Sequence, residues 1–149
     1  MADIVTIKKH ADKLFIELYH LKYAKNGKVS ANIEDLVEVC SQAQKSYHWI
    51  QKGIKEILEH LLRREALRQK KHGGVPNCSR IERGSKEDII ELLSLARNRI
   101  PVEFGVYIVQ PAIAKSKISL SQLTLLSVTE DYLKAKTLIN LKVIGNKDL

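Results

Sequence analysis

The sequence predicts an α+β fold in which a helical bundle over residues 1–100 precedes a strand-helix-strand unit over residues 101–149. Three observations predict it. Apolar residues recur at three- and four-residue spacing through most of the first hundred positions, β-branched and aromatic residues crowd Val102 to Pro111, and Ser119 with Gln122 forms a capping-box pattern ahead of one more helix and a last β-branched run. With 149 residues the chain is the size of one ordinary domain. Its 44% hydrophobic and 28% charged residues give a globular balance, so most of it is expected to fold.

Ile4, Ile7, Ala11, Leu14, Leu18 and Leu21 carry the helical period over residues 4–24 and predict the first helix. Lys25-Asn26-Gly27-Lys28 contains a pair that tolerates positive φ and predicts a turn. Ser30 or Asn32 would cap the second helix, whose first turn holds Glu34 and Asp35 where negative charge meets the positive end of the helix dipole. The period returns from Tyr47 to Lys71 through Ile50, Ile54, Ile57, Leu58, Leu61, Leu62 and Leu67, broken only by Gly53, a residue that would let a neighbouring helix approach. Residues 72–84, with Gly73, Gly74, Pro76 and Gly84, read as a loop. Ser85 and Asp88 open a short fourth helix that ends before Pro101.

The tail then reads as a buried strand over 102–111, a helix from Ser119 to about Ala135 and a strand from Ile139 to Ile144. A crossover of that length favours parallel strands joined right-handedly. Two strands make a poor sheet, and the intervening helix is apolar nearly all round through Leu120, Leu123, Leu125, Leu126 and Val128. The unit is therefore expected either to pack with the helices as one compact domain or to complete a sheet in a partner.

A net charge of +8 and a pI of about 9.5 favour an anionic partner. From Lys52 to Arg83 nine basic residues face four acidic ones. Arg63, Arg64, Arg68, Lys70 and Lys71 sit on one helix and Arg80 and Arg83 in the loop after it. These seven are the candidate contacts to a DNA or RNA backbone, weighed against a solvated helix end whose cations favour the dipole terminus. Lys115, Ser116 and Lys117 form a candidate phosphate or ligand loop, because they fall between a strand's carboxyl end and a helix amino terminus; an ordinary polar loop is the alternative. For Tyr47-His48-Trp49, core packing of Trp49 is the stronger reading and base stacking the weaker.

Other chemistry finds little support. His10, His20, His48, His60 and His72 share no ligand spacing, and Cys40 and Cys78 lack the CxxC pattern, so no metal and no cofactor is expected. Gly84-Ser85-Lys86 lacks the order of a phosphate loop. Glu87 with Asp88, and Glu130 with Asp131, are adjacent on helices and diverge. No catalytic residue is assigned; a convergent site would draw on Glu103, Tyr107 and Lys115. Met1-Ala2-Asp3-Ile4-Val5 lacks a basic start and a long apolar run, and no stretch reaches the ~18 to 20 apolar residues of a span. A cytoplasmic protein without a membrane partner is expected.

Residues 106–117, VYIVQPAIAKSK, followed by residues 122–133, QLTLLSVTEDYL, resemble the carboxyl-terminal end of large ATPases and helicases of bacterial phage-defence and DNA-restriction systems. Those proteins tend to have glycine where this chain has Ala112, and their ATPase portion has no counterpart here. The resemblance implies an accessory subunit of a larger defence complex. The first hundred residues also look like the small helical subunits of CRISPR effector complexes, in size, charge and helicity. A basic adaptor for an acidic protein partner is the remaining reading.

Overall fold

The computed structural model describes residues 1–23, 29, 32–73, 75, 78–97 and 100–146. In chain order the elements are β1 (Ile4–His10), β2 (Lys13–Leu21), α1 (Glu34–Gln44), α2 (Ser46–Lys52), α3 (Ile54–His72), α4 (Lys86–Arg97), β3 (Val102–Ala114), α5 (Leu120–Thr137) and β4 (Leu141–Asn146). They fall into two units, Met1–Gln51 with Val102–Leu149, and Lys52–Pro101.

The class is α+β, but the arrangement of a helical bundle followed by a strand-helix-strand unit is overturned at the first element. Residues 4–24 are not a helix; they form the antiparallel hairpin β1–β2. Period 3.5 and period 2 share Leu14 and Leu18, and the deciding residues lie between them. Leu14, Ile16, Leu18 and His20 are buried while Phe15, Glu17 and Tyr19 alternate with them, and β-branched Ile4-Val5-Thr6-Ile7 precedes. The hairpin turn is Ala11-Asp12, with Ala11 at φ 52°, so no glycine or asparagine marked it. The expected turn at 25–28 and the Ser30 cap lie outside the described residues. Asn32 Oδ1 accepts the Glu34 N–H at 2.9 Å, immediately ahead of α1.

The hairpin also supplies the strands that the tail lacked. One four-stranded sheet runs β1-β2-β3-β4, with β2 parallel to β3 and β3 parallel to β4. β3 runs beyond Pro111, and its register against β4 shifts between Val109 and Ala114, an irregular stretch that accommodates a residue with no N–H to donate. Leu14, Ile16 and Leu18 of β2 and Val106 and Ile108 of β3 share the inner face. Leu36, Val39, Cys40 and Ala43 of α1 and Leu126 and Leu133 of α5 pack there with Val106, Ile108 and Ile113. The α5 capping box is present in both directions, Ser119 Oγ accepting from the Gln122 N–H and Gln122 Oε1 from the Ser119 N–H.

The expected single helix from Tyr47 to Lys71 is two helices. Gly53 adopts φ 85° and ψ 175°, which only glycine takes without strain, and it separates α2 from α3. Close helix approach is not its role, since the nearest atom to a built Cβ would be Glu56 Oε2 at 4.0 Å. A different glycine is a contact residue. A Cβ on Gly145 of β4 would sit 2.5 Å from the Ile113 carbonyl oxygen of β3. Gly145→Ala should therefore push the edge strand off its neighbour and lower stability by about 1–3 kcal/mol, read as a lower urea midpoint with an unchanged slope.

Candidate nucleic-acid interface

The seven candidate cations belong to the second unit, where α3 packs against α4. Ile57 and Leu58 of α3 are buried, and the buried position two turns later is Glu65, 6% exposed. A carboxylate there needs partners. Glu65 Oε1 accepts from Gln69 Nε2 at 2.8 Å and Oε2 from the Arg80 N–H at 2.8 Å. These two bonds hold its carboxyl below the usual range. Arg68 Nε donates to the Cys78 carbonyl at 3.1 Å, and Cys78 Sγ donates to Gln69 Oε1 at 3.3 Å. The stretch Cys78–Arg80 is thus strapped to the last turns of α3, and Ser85 with Asp88 closes the amino end of α4 by reciprocal bonds.

The strap spends the buried acid of this region, Glu65, on backbone and amide donors. Among the described residues, none of Arg63, Arg64, Arg68, Lys70, Lys71, Arg80 and Arg83 forms an ion pair, whereas Lys8, Lys13, Lys22 and Lys55 all do. Arg63, Lys70, Lys71, Arg80 and Arg83 are exposed, and Arg64 and Arg68 half-buried. Burial first, then Arg63 and Arg64, pushes His60 below its ordinary value. Arg68 is part of the strap, and Arg63 Nη2 meets His60 Nδ1 at 3.2 Å, a contact that leaves its charge unpaired; six of the seven can therefore turn to an anion.

Lys115, Ser116 and Lys117 form an exposed 3-10 turn at the carboxyl end of β3, directly before α5. The capping box occupies two of that helix's first N–H groups. Glu103, Tyr107 and Lys115 do not converge. Glu103 pairs with Lys13 at 2.8 Å and lines a cleft of about 450 Å3 with Phe104, Asn140 and Lys142, which neither Tyr107 nor Lys115 lines. Tyr47 lies against His48 at 3.8 Å and meets Tyr132 edge-on at 5.9 Å. Among the described residues no three His, Cys, Asp or Glu side chains are grouped to hold a metal, and no helix is long and apolar enough to cross a membrane.

One cluster went unread in the sequence. On the outer face of the sheet, Glu17 accepts from Thr6 Oγ1, Lys8 Nζ, Tyr19 OH and Tyr107 OH at 2.7, 2.9, 3.2 and 2.9 Å, and Lys142 Nζ donates to Tyr107 OH at 3.1 Å. Tyr19 and Tyr107 stack at 4.5 Å, with the Lys142 ammonium 5.0 Å from the Tyr107 ring centre and Ile4 opposite Tyr19 in the register. The Tyr107 ring is thereby engaged by side chains of the sheet itself. The cluster joins all four strands. Its signal was the alternation of Phe15, Glu17 and Tyr19, legible only once residues 13–21 are taken as a strand.

No family model, no curated protein and no solved structure matches the chain.

Beside Glu65, two groups of the sheet unit contribute to the acid response. The bonds from Thr6 and Lys8 bring Glu17 down to about 2 from 4.5, and burial brings His20 down to about 4 from 6.5. His20 is 2% exposed, with Nε2 bonded to Ser46 Oγ at 2.7 Å. Each folded-state value is depressed, so the unfolded chain takes up the proton first and stability falls on acidification. Loss should begin between pH 6.5 and 4 through His20 and continue between 4.5 and 2 through Glu17. Unfolding midpoints across that range should lose the first stage in His20→Asn and keep the second. For the strap, Glu65→Ala should cost about 1–3 kcal/mol and speed amide exchange at Arg80 by at least tenfold while leaving β2 and β3 protected.

Proposed function

We propose that this chain is a non-catalytic, nucleic-acid-binding accessory subunit of a bacterial defence assembly. The observation that carries the binding half is the set of cations on α3 and its strapped loop that no described carboxylate neutralises. An exposed helix that is merely solvated commonly interleaves its charges as ion pairs. α3 does so only in its first turns, where Lys55 pairs with Glu59; its carboxyl half gathers Arg63, Arg64, Lys70 and Lys71 with no ion pair among the described residues, which is the electrostatic footprint of a polyanion partner. Glu65 supports the reading by fixing the loop without offering negative charge outward.

The assembly half rests on the resemblance of residues 106–133 to the carboxyl-terminal end of defence ATPases. Leu120, Leu123 and Val128, within that same segment, are exposed on α5. Their apolar side chains suit contact with a larger companion. Non-catalytic character rests on the separation of Glu103, Tyr107 and Lys115.

Binding of the full chain to a generic nucleic acid should weaken steeply as salt rises. The variant R63A/R64A/K70A/K71A should bind at least 100-fold more weakly at about 0.1 M salt and reduce the log–log salt slope by up to about four. All four side chains are free of ion pairs among the described residues, so the fold should survive, as circular dichroism would verify. No binding by the parent chain at low salt, or an unchanged slope in the variant, would remove the proposal.

A further inference from the structure

We infer that the nucleic acid is B-form duplex DNA, with the carboxyl half of α3 lying in its major groove; this rests on the nucleic-acid reading above. The two rows of cations on that helix carry the inference. At about 100° per residue, Leu67 stands opposite the buried Glu65–Leu58 side of α3, and it is 62% exposed. Arg63 and Lys70 lie to one side of that ridge, and Arg64 and Lys71 to the other. Each row holds two cations seven residues apart, about 10 Å along the axis at 1.5 Å per residue. A single strand presents one line of phosphates and can neutralise one row. A groove presents a line on each side of whatever lies in it.

The dimensions agree with the B-form major groove, roughly 12 Å wide, and an α-helix with side chains of about 10–12 Å. Duplex RNA closes this route, since its major groove is too deep and narrow for side chains to read. The second unit, residues 52–101, contains no phenylalanine, tyrosine or tryptophan. Single-strand binders draw much of their affinity from base stacking on such rings, and Tyr19 and Tyr107, in the other unit, are stacked on each other. On the groove-facing ridge Leu67 has no hydrogen-bonding group, and Gln69 lies on the opposite, Glu65 side, bonded to Glu65 and Cys78. Recognition is therefore by phosphate geometry, with little reading of base sequence.

The test uses the full chain, fluorescence anisotropy and four labelled probes: a mixed-sequence 20-base-pair DNA duplex, an unrelated duplex of equal length, one of the single strands, and the matching RNA duplex. With six free cations engaged, raising salt from 50 to 200 mM should weaken DNA duplex binding about 1,000-fold. At 100 mM the two DNA duplexes should bind alike, and both at least tenfold tighter than the single strand or the RNA duplex. R63A/K70A and R64A/K71A, one row each, should each weaken DNA duplex binding by roughly 10- to 50-fold. Equal or tighter binding of the single strand or the RNA duplex overturns the inference and leaves the nucleic-acid reading standing. So does a loss confined to one row. Binding to none of the four probes removes both.

Discussion

The parallel pairing of β2 with β3 is the contact on which the rest of the molecule depends. It joins Leu14–Leu21 to Val102–Val109, residues 88 apart in the chain. Closing a loop of that length costs about 3 kcal/mol more than closing the two-residue turn of the β1–β2 hairpin. The inner faces offset this cost together, because Leu14, Ile16, Leu18, Val106 and Ile108 are all fully buried. Each such side chain is worth about 1.5–3 kcal/mol on burial. The hairpin alone would leave its apolar face wet, and so would the β3–α5–β4 crossover. Each completes the other, and neither half needs a sheet from another chain to bury its inner side.

That pairing also makes the second unit possible. Loop-closure cost grows only with the logarithm of length, so inserting fifty residues between α2 and β3 adds less than about 1 kcal/mol to the closure of β2 on β3. A helical hairpin can therefore be carried as an insertion without weakening the sheet. Its stability is instead local, and thin. α4 has no fully buried residue, and α3 contributes only Ile57, Leu58 and Glu65. With so little apolar burial, the bonds from Glu65 to Arg80 and Gln69 and from Arg68 to Cys78 hold the loop ordered, and the order of the loop decides where Arg80 and Arg83 are presented.

The elements read correctly from sequence were those whose stop signals are local. Ser119 and Gln122 announce α5, Ser85 and Asp88 announce α4, and Val102 to Pro111 is too β-branched to be much else. The amino-terminal hairpin was misread because its only turn signal is absent. Ala11 takes the left-handed backbone that glycine or asparagine would have advertised, and Leu14 and Leu18 satisfy the helical and strand periods equally. The error then propagated, for without β1 and β2 the tail seemed two strands short. Gly53 was noticed but given the wrong work, since a glycine inside a helical period reads as close approach and only the backbone angle reveals a break. Of the candidate site, the cations were legible as a cluster. Their freedom from ion pairs was not, because it depends on where Glu65 points.

Glu65 and Glu17 are both bonded carboxylates, and they are used in opposite ways. Glu17 sits where Lys8 and Lys142 approach, and it absorbs positive charge into the sheet: Thr6, Lys8, Tyr19 and Tyr107 all donate to it, and Tyr107 in turn accepts from Lys142. The result is a cross-strand network in which one carboxylate is shared by four donors. Glu65 sits among more cations and pairs with none, taking neutral donors from Arg80 backbone and Gln69 side chain. Had it turned toward Arg68, three residues on, it would have gained a surface ion pair worth about 0.2–1 kcal/mol and lost the loop strap. Bonded as it is, it spends its charge on folding the loop and leaves the guanidinium and ammonium groups around it unquenched. The two glutamates thus divide the labour: Glu17 takes an ammonium donor within the sheet, and Glu65 takes neutral donors within its own helical unit.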